Sequence, residues 1–341
     1  MKTCLWNGTE KLEIVDKPIP EAKPDECLVK TLASGVCGTD IHIIKGAFDC
    51  CKPPMVLGHE ACGEIVKIGR EVEGFKIGER VAVENVAGCG KCYFCKRQIP
   101  QHCLEYRELG FGIDGVWREY FVITARCLYK VKSETNPEYA AMAEPLNCVL
   151  GALGKCSIEI GDDILILGAG PAGLFFLQVA KLRGAGHIIM TTTNPSRREK
   201  ALQLGADYVV NTKKENLADV VKKNTDGHGP AIAIDAIGLP ETFKSCIDLV
   251  TPEGQVIAYG VGATDPLSNL FIDNIVLKML TIHGDQSSHR YYDKAIKLIE
   301  TGKIDAEAMI THRFSFEDVQ KAVDIAADRS SSAVKVMLKF Q

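Results

Sequence analysis

The segment DILILGAGPAGLFFLQVAKL, residues 163–182, joins an apolar strand to an apolar helix through a glycine loop. In that setting the first glycine of a G-x-G-x-x-G loop permits a tight turn, the second lets a pyrophosphate approach the backbone, and the third allows close helix–strand packing. The helix N-terminus adds free N–H groups and partial positive charge. The segment therefore predicts a dinucleotide-binding site formed by Gly168, Ala169, Gly170, Pro171, Ala172 and Gly173.

The sequence around this loop alternates between strands and helices. Short apolar runs recur from residue 163 to residue 283, separated by helical segments: DILILG, HIIMT, YVV, AIAID, QVIAYG and LTIHG. Such runs are typical of a parallel sheet covered by helices on both faces. Residues 1–130 instead contain β-strand patterns and glycine turns, and the chain closes with two helices and the strand AVKVMLKF. We expect a dinucleotide-binding domain at 146–283 and a mostly-β domain at 1–145 with 284–341.

Length and charge limit the class of protein. A chain of 341 residues is long for one hydrophobic core, which favours two domains. The net charge of −4 indicates neither a nucleic-acid nor a membrane partner. No apolar run reaches the ~18 residues of a membrane span, and the N-terminus MKTCLWNGTE lacks a signal-peptide pattern. We expect a cytoplasmic protein.

Four cysteines lie close together in GCGKCYFCKRQIPQHC, residues 88–103. Clustered cysteines in a reducing compartment more often bind metal than form disulfides. Cys89, Cys92, Cys95 and Cys103 can supply a tetrahedral shell of four thiolates around a structural zinc. An iron–sulfur cluster and plain buried thiols are the alternatives; the seven-residue gap before Cys103 argues against the cluster. The other nine cysteines are expected to be free buried thiols.

A second set of metal-binding residue types is dispersed along the chain. Cys37 lies in GVCGTDIH, His59 and Glu60 lie in LGHEACGEI, and Glu144 lies in AEPL. Each alone is more often a core cysteine, a hydrogen-bonded histidine or a surface acid than a ligand. Their joint presence beside a dinucleotide loop favours a second metal site.

Together these motifs resemble the zinc-dependent medium-chain dehydrogenase/reductase superfamily over nearly the whole chain. The resemblance rests on GVCGTDIH, VLGHEACGEIVKIG, FKIGERVAV, the four-cysteine segment, EPL, GAGPAG and LGAD. The segments CGTDIH and EPL favour its polyol and threonine dehydrogenase branch. The resemblance implies a GroES-like, mostly-β catalytic domain, a Rossmann cofactor domain, and a homo-oligomer, either dimer or tetramer.

The resemblance also implies the roles of the dispersed residues. Cys37, His59 and Glu144 would hold a catalytic zinc, with Glu60 as an alternative ligand or a neighbour of the ligands. Thr39 and His42 match the family's proton relay. Bound zinc acts as a Lewis acid that lowers the pKa of an alcohol, and a nicotinamide exchanges the hydride. The expected enzyme therefore interconverts a secondary alcohol or polyol and its ketone, with two zinc ions per chain.

The choice of nicotinamide depends on IIMTTTNPSRR, residues 188–198. NAD-binding folds usually place an acid about 20 residues past the glycine loop to bind the ribose hydroxyls, but no acid occurs between Asp163 and Glu199. The resemblance, counted back from LGAD to the family's strand-end acid, implies that the acid's position falls on Thr192. Thr192 and Thr193 have hydroxyls that can donate to a 2′-phosphate.

The following arginines support the same prediction. Asn194 and Pro195 look like a helix cap and a first helical residue, which places Arg197 and Arg198 in the first turn. Cations are disfavoured there unless an anion binds. In the alternative interpretation these arginines are solvated, or one stacks on the adenine of NAD. We predict that NADP is preferred over NAD.

Two other functions fit parts of these patterns. One is an NAD-dependent dehydrogenase of the sorbitol or threonine type. The other is a non-catalytic dinucleotide-binding protein, whose expected mark is loss of zinc ligands; here both sets of ligands are intact.

Overall fold

The computed structural model describes residues 1–48, 51–261, 270–286 and 290–341. Its backbone divides into two compact units, Met1–Asn147 with Ser287–Gln341, and Cys148–Gln286. In the described part of the chain, none of the helices is both long enough and apolar enough to span a bilayer.

The first unit is built mainly from strands. Its strands are β1 (Lys2–Trp6), β2 (Leu12–Asp16), β3 (Glu26–Val36), β4 (Ala61–Ile68), β5 (Arg80–Val83), β6 (Glu108–Leu109), β7 (Gly112–Ile113), β8 (Tyr120–Thr124), β9 (Leu128–Lys130), β16 (Ile310–Ser315) and β17 (Lys335–Lys339). Seven of them form one sheet with the order β16-β17-β3-β4-β5-β9, and β8 also pairs with β3. The long strand β3 is therefore the centre of this sheet.

Short helices connect these strands. They are α1 (Gly38–Ile44), α2 (Tyr93–Lys96), α3 (Pro137–Ala141), α4 (Ala143–Leu153), α10 (Tyr292–Glu300), α11 (Ala306–Met309) and α12 (Val319–Ala327). The boundary between the two units falls within α4. Helix α3 begins at Pro137, and the Asn136 side chain caps it by accepting a hydrogen bond from the Glu138 N–H.

The second unit contains the predicted parallel sheet. Its strands are β10 (Ile164–Leu167), β11 (Ile188–Thr191), β12 (Tyr208–Val210), β13 (Ile232–Asp235), β14 (Gln255–Ala258) and β15 (Thr281–Gly284). Its helices are α5 (Pro171–Leu182), α6 (Pro195–Gln203), α7 (Leu217–Asn224), α8 (Pro240–Leu249) and α9 (Asp273–Val276). The strand order β12-β11-β10-β13-β14-β15 reverses direction between β10 and β13. In such doubly wound sheets, ligands bind at the carboxyl ends of the strands at this reversal, and the glycine loop follows β10 there.

The apolar strands at the centre of the parallel sheet and most of the described cysteines are buried in the protein interior. Strands β10 and β13 are buried at every residue, as expected for central parallel strands. Of the nine cysteines expected to be buried thiols, seven are buried and Cys148 is half-buried, while Cys50 lies outside the described residues.

Candidate metal centre and cofactor site

The antiparallel pairing of β3 with β4 brings Cys37 together with His59 and Glu60. Ser34 pairs with Ala61, so the residues just beyond the end of β3 face those just before β4. One donor atom each from Cys37, His59 and Glu60 lie within 4.8 Å of one another. His59 and Glu60 are buried, and Cys37 is half-buried. One thiolate, one imidazole and one carboxylate are a donor set that zinc accepts.

Asp40 orients this cluster from helix α1. Its side chain is fully buried, and it accepts hydrogen bonds from the N–H groups of Cys37 (2.9 Å) and Gly58 (3.1 Å). Its Oδ1 also lies 3.4 Å from Nδ1 of His59. Burial acts against protonation of His59, but Asp40 and Cys37 outweigh it and raise its pKa well above the usual range. A carboxylate at Nδ1 leaves Nε2 as the nitrogen available to a metal.

Glu144 lies near this cluster. It is buried near the start of α4, and its pKa is raised to about 7 by burial, with the negative charge of Glu60 adding to the effect and His59 opposing it. Among the described residues, the group of three donors within 4.8 Å does not include Glu144. Glu60 thus has the better position for a direct ligand, and its buried Oε1 has no hydrogen-bond donor in the described residues.

Thr39 and His42 lie on helix α1 beside the cluster. The Cys37 Sγ is 3.7 Å from the Thr39 hydroxyl. His42 follows three residues later, so both side chains lie on the same side of the helix. His42 is half-buried, and burial together with Arg329 and Lys45 lowers its pKa, which favours a neutral ring able to accept a proton.

Among the buried charged residues near the cluster that sequence reasoning missed are Asp40 and Lys335. Asp40 had a local signal, because it lies three residues after Cys37, and its carboxylate accepts from the Cys37 N–H in a capping box at the start of α1. The signal for Lys335 in the sequence was weaker: it is a lysine inside the apolar strand AVKVMLKF. It is 1% exposed and forms an ion pair with Glu60.

The four clustered cysteines also converge. The Sγ atoms of Cys89, Cys92, Cys95 and Cys103 lie within 4.8 Å of one another. Those of Cys92 and Cys103 are 3.8 Å apart, which is about the edge of a tetrahedron with zinc–sulfur bonds of about 2.3 Å. Backbone N–H groups point at three of the sulfurs, which suits thiolates. The geometry fits zinc with four protein ligands.

The glycine loop has the conformation that a pyrophosphate site requires. Gly168 has φ of +106°, and its N–H donates to the Thr191 hydroxyl at 3.1 Å. A Cβ on Gly173 would lie 2.0 Å from the Gly168 carbonyl oxygen, while a Cβ on Gly170 would meet nothing within 4 Å. Gly170 is also the residue that precedes α5. Close packing at Gly173 and open space at Gly170 match the roles predicted for these glycines.

A cavity of about 230 Å³ lies beyond the end of β11. Two threonines, two cations and one acid are among its lining residues: Thr192, Thr193, Asn194, Pro195, Arg198, Asn211, Lys214 and Glu215. The Asn194 side chain caps α6 by accepting from the Arg197 N–H, and Pro195 is the first helical residue, as predicted. Arg197 and Arg198 are therefore in the first turn, but only Arg198 lines this cavity. The Glu215 carboxylate accepts from the Asn211 N–H at 3.1 Å.

Two family models match the chain. Residues 23–133 match the alcohol dehydrogenase GroES-like domain, and residues 171–301 match the zinc-binding dehydrogenase model. Similar proteins include L-threonine 3-dehydrogenase from Pyrococcus horikoshii, which is 36% identical over 99% of this chain and 98% of its own length. Sorbitol dehydrogenase from Halalkalibacterium halodurans is 32% identical over 97% of this chain and 96% of its own length.

Solved structures share the whole fold. An alcohol dehydrogenase of Escherichia coli CFT073, crystallised with NADH, has a TM-score of 0.93 and 32% identity, and covers 100% of this chain and 99% of its own. A zinc-binding dehydrogenase of Sinorhizobium meliloti 1021, bound to NADP, also has a TM-score of 0.93, with 28% identity over 99% of this chain and 98% of its own.

Proposed function

The chain belongs to the zinc-dependent medium-chain dehydrogenase/reductase superfamily, in its polyol and threonine dehydrogenase branch, and from that membership we propose a specific reaction. It transfers a hydride between a secondary alcohol or polyol, or the matching ketone, and NADP(H). The observation that carries the proposal is the convergence of the donor atoms of Cys37, His59 and Glu60. In this proposal these three residues hold the catalytic zinc, and Glu144 is the acid beside it.

The residues around the cluster have distinct tasks in this reaction. Bound zinc supplies a Lewis acid that lowers the pKa of a substrate hydroxyl. Asp40 holds the His59 ring in one orientation. The Thr39 hydroxyl, beside the Cys37 sulfur, accepts the proton of the substrate hydroxyl, and His42 passes it towards solvent. In the opposite direction the same two groups return a proton to the ketone oxygen.

The second zinc is structural in this proposal. Cys89, Cys92, Cys95 and Cys103 surround it with four sulfurs, so it has no position for substrate. It holds the 88–103 segment together. Both sets of ligands are present, which argues against a non-catalytic dinucleotide-binding protein. Four clustered cysteines in a metal-binding arrangement are more typical of a reducing compartment than of an oxidising one, so we place the protein in the cytoplasm.

The preference for NADP rests on the cavity beyond β11. The Thr192 and Thr193 hydroxyls, Arg198 and Lys214 are donors that suit a 2′-phosphate. The position where an NAD enzyme has an acid is Thr192, whose Oγ1 accepts from the Asn194 N–H at 3.2 Å. NAD-dependent sorbitol- or threonine-type activity is the second candidate, favoured by the named activities of the relatives.

A homo-oligomer, dimer or tetramer, is supported by an exposed apolar surface of the second unit. The segment 272–282 contains helix α9 and the start of the edge strand β15. It exposes five large apolar side chains: Ile272, Val276, Leu277, Met279 and Ile282. Exposed apolar patches and free strand edges are typical of surfaces that a partner covers. Light scattering of the purified protein gives the number of chains directly.

The proposed reaction is tested by metal analysis and by nicotinamide absorbance assays. The assays use L-threonine, polyols, simple secondary alcohols and ketones, each with both cofactors. We expect two zinc ions per chain, loss of one in Cys37→Ser, and activity with at least one substrate class. Full activity of metal-depleted Cys37→Ser contradicts the catalytic zinc.

Cofactor preference has its own test. We expect kcat/KM with NADPH to exceed that with NADH, and Thr192→Asp to lower the NADPH:NADH ratio by at least about tenfold because like charges repel at short range. Ser196→Asp is the matched control, since it adds the same charge in the same loop–helix region at a residue outside the cavity lining. An NADPH:NADH ratio well below one, or equal effects of both variants, overturns the NADP preference.

A further inference from the structure

Lys335 is a lysine buried at the centre of the proposed catalytic site. It is the first residue of β17 and is 1% exposed. Its ammonium forms an ion pair with the Glu60 carboxylate and lies 3.3 Å from the Val36 carbonyl oxygen. Val36 immediately precedes the ligand Cys37. The ammonium therefore contacts both the segment that leads into Cys37 and the segment that contains His59 and Glu60.

The sheet register and a glycine make room for this ion pair. Strand β17 pairs with β3, with Met337 opposite Gly35 and Val336 opposite Val36. A Cβ on Gly35 would lie 1.9 Å from Oε2 of Glu60 and 2.9 Å from Nζ of Lys335. Any side chain at position 35 would displace one of the two charged groups. The ion pair between Lys335 and Glu60 therefore needs a glycine at position 35.

A buried ion pair needs a reason beyond stability. Burying an ammonium costs several kcal/mol, and a well-packed apolar pair of similar size is often at least as stable. Lys335 nevertheless keeps its ammonium against the Glu60 carboxylate and the Val36 carbonyl oxygen, with almost no exposure to solvent. A charged lysine is thus kept beside the ligands of a divalent cation.

The charges of the site indicate what the lysine does. Cys37, Glu60 and Glu144 carry up to three negative charges when all are ionised, which exceeds the charge of one Zn²⁺. The ammonium offsets one of these negative charges. It also competes with the metal for the Glu60 carboxylate, because both attract the same group.

We propose that Lys335 is a positioning residue that holds Glu60 in place and limits how tightly this site binds zinc. The inference rests on the proposed zinc function. It predicts that removing the ammonium strengthens zinc binding, because the repulsion between two cations disappears and Glu60 loses its other partner. It also predicts a less stable metal-free protein, because Glu60 is then a buried carboxylate without a cation.

The test compares Lys335→Met, Lys335→Arg and the unsubstituted protein. Zinc release to a chromogenic chelator is followed in time, and the release phase that Cys37→Ser abolishes is assigned to this site. We expect Lys335→Met to slow that phase by at least about tenfold, given a full charge a few Å away, and Lys335→Arg to restore it. The Tm difference between the zinc-loaded and metal-free protein should grow in Lys335→Met, since zinc binding stabilises the folded state.

A matched control is Lys278→Met, in the second unit. The Lys278 ammonium donates to the carbonyls of Ile247, Asp248 and Val250, so its loss removes a partly buried lysine away from any proposed ligand. If Lys335→Met does not fold, Lys335→Gln makes the same test, because it removes the charge but keeps a donor for Val36. Zinc release that is unchanged or faster in the uncharged variant overturns the inference. A failure of the proposed function looks different, since zinc content would then be insensitive to Cys37→Ser.

Discussion

Asp40→Asn is the substitution that most directly tests how the metal cluster is built. It keeps the size of the side chain and removes its charge. The carboxylate accepts from the N–H groups of Cys37 and Gly58 and lies 3.4 Å from Nδ1 of His59. The carbonyl oxygen of an asparagine can keep one of the two hydrogen bonds from backbone N–H groups. The side-chain NH₂ group then faces the other N–H, and two donors oppose each other.

The magnitude follows from these contacts. Leaving one buried N–H without an acceptor, and replacing a charged acceptor by a neutral one, should lower the free energy of unfolding by about 2–3 kcal/mol. Loss of the carboxylate behind His59 should weaken zinc binding by roughly 10–100-fold, the usual effect of removing the partner of a metal-binding histidine. Both changes come from one side chain that is fully buried.

Urea unfolding of the metal-free protein measures the first effect, and competition with a zinc chelator measures the second. Asp25→Asn is the matched control, because that carboxylate is exposed and accepts only from the Thr124 hydroxyl among the hydrogen bonds of the described residues; its effect should stay within about 0.5 kcal/mol. The interpretation of Asp40 is refuted if Asp40→Asn matches this control in stability and binds zinc as tightly as the unsubstituted protein.

Two further predictions concern stability. Burial raises the pKa of Glu84 to about 8, and the hydrogen bond from Tyr129 partly offsets this rise. Between the ordinary pKa of glutamate and this raised value, the folded protein holds a proton that the unfolded chain has lost. The free energy of unfolding therefore falls as the pH rises through that range. Glu84→Gln should reduce that decline, measured as the Tm difference between pH 5 and pH 8, and an unchanged pH slope would contradict it. Gly58 has φ of +86°, and a Cβ there would lie 2.2 Å from the Trp117 ring, so Gly58→Ala should cost more than about 3 kcal/mol in urea unfolding. Gly46→Ala is its control, since Gly46 has φ of +75° but open space around the Cβ, and it should cost only about 1–2 kcal/mol; equal costs would show that the Trp117 contact is unimportant.

Much of the fold could be predicted because its signals are local. The strand-loop-helix segment at 163–182 contains its own periodicity and its own glycines, and neighbouring residues alone determine a helix cap such as Asn194 with Pro195. The four cysteines at 89–103 are equally local, because fifteen consecutive residues contain every ligand of that site. In such cases the residues that contact one another in space are also close together in the sequence.

The proposed catalytic cluster differs because its residues are far apart in the chain. The sequence offers Cys37, His59, Glu60 and Glu144 as candidates for one site and leaves the choice between the two glutamates open. The register of β3 with β4 places Glu60 with Cys37 and His59. The register of β17 with β3 adds Lys335, roughly three hundred residues later in the chain.

Residue type and short-range spacing are therefore enough to identify the family, the two kinds of domain and the residues available for metal and cofactor. The tertiary structure adds that Glu60 groups with Cys37 and His59, that the Asp40 carboxylate lies against His59, and that a buried lysine pairs with Glu60. Those outcomes depend on strand register and on the space left by Gly35, and a pattern along the chain contains neither.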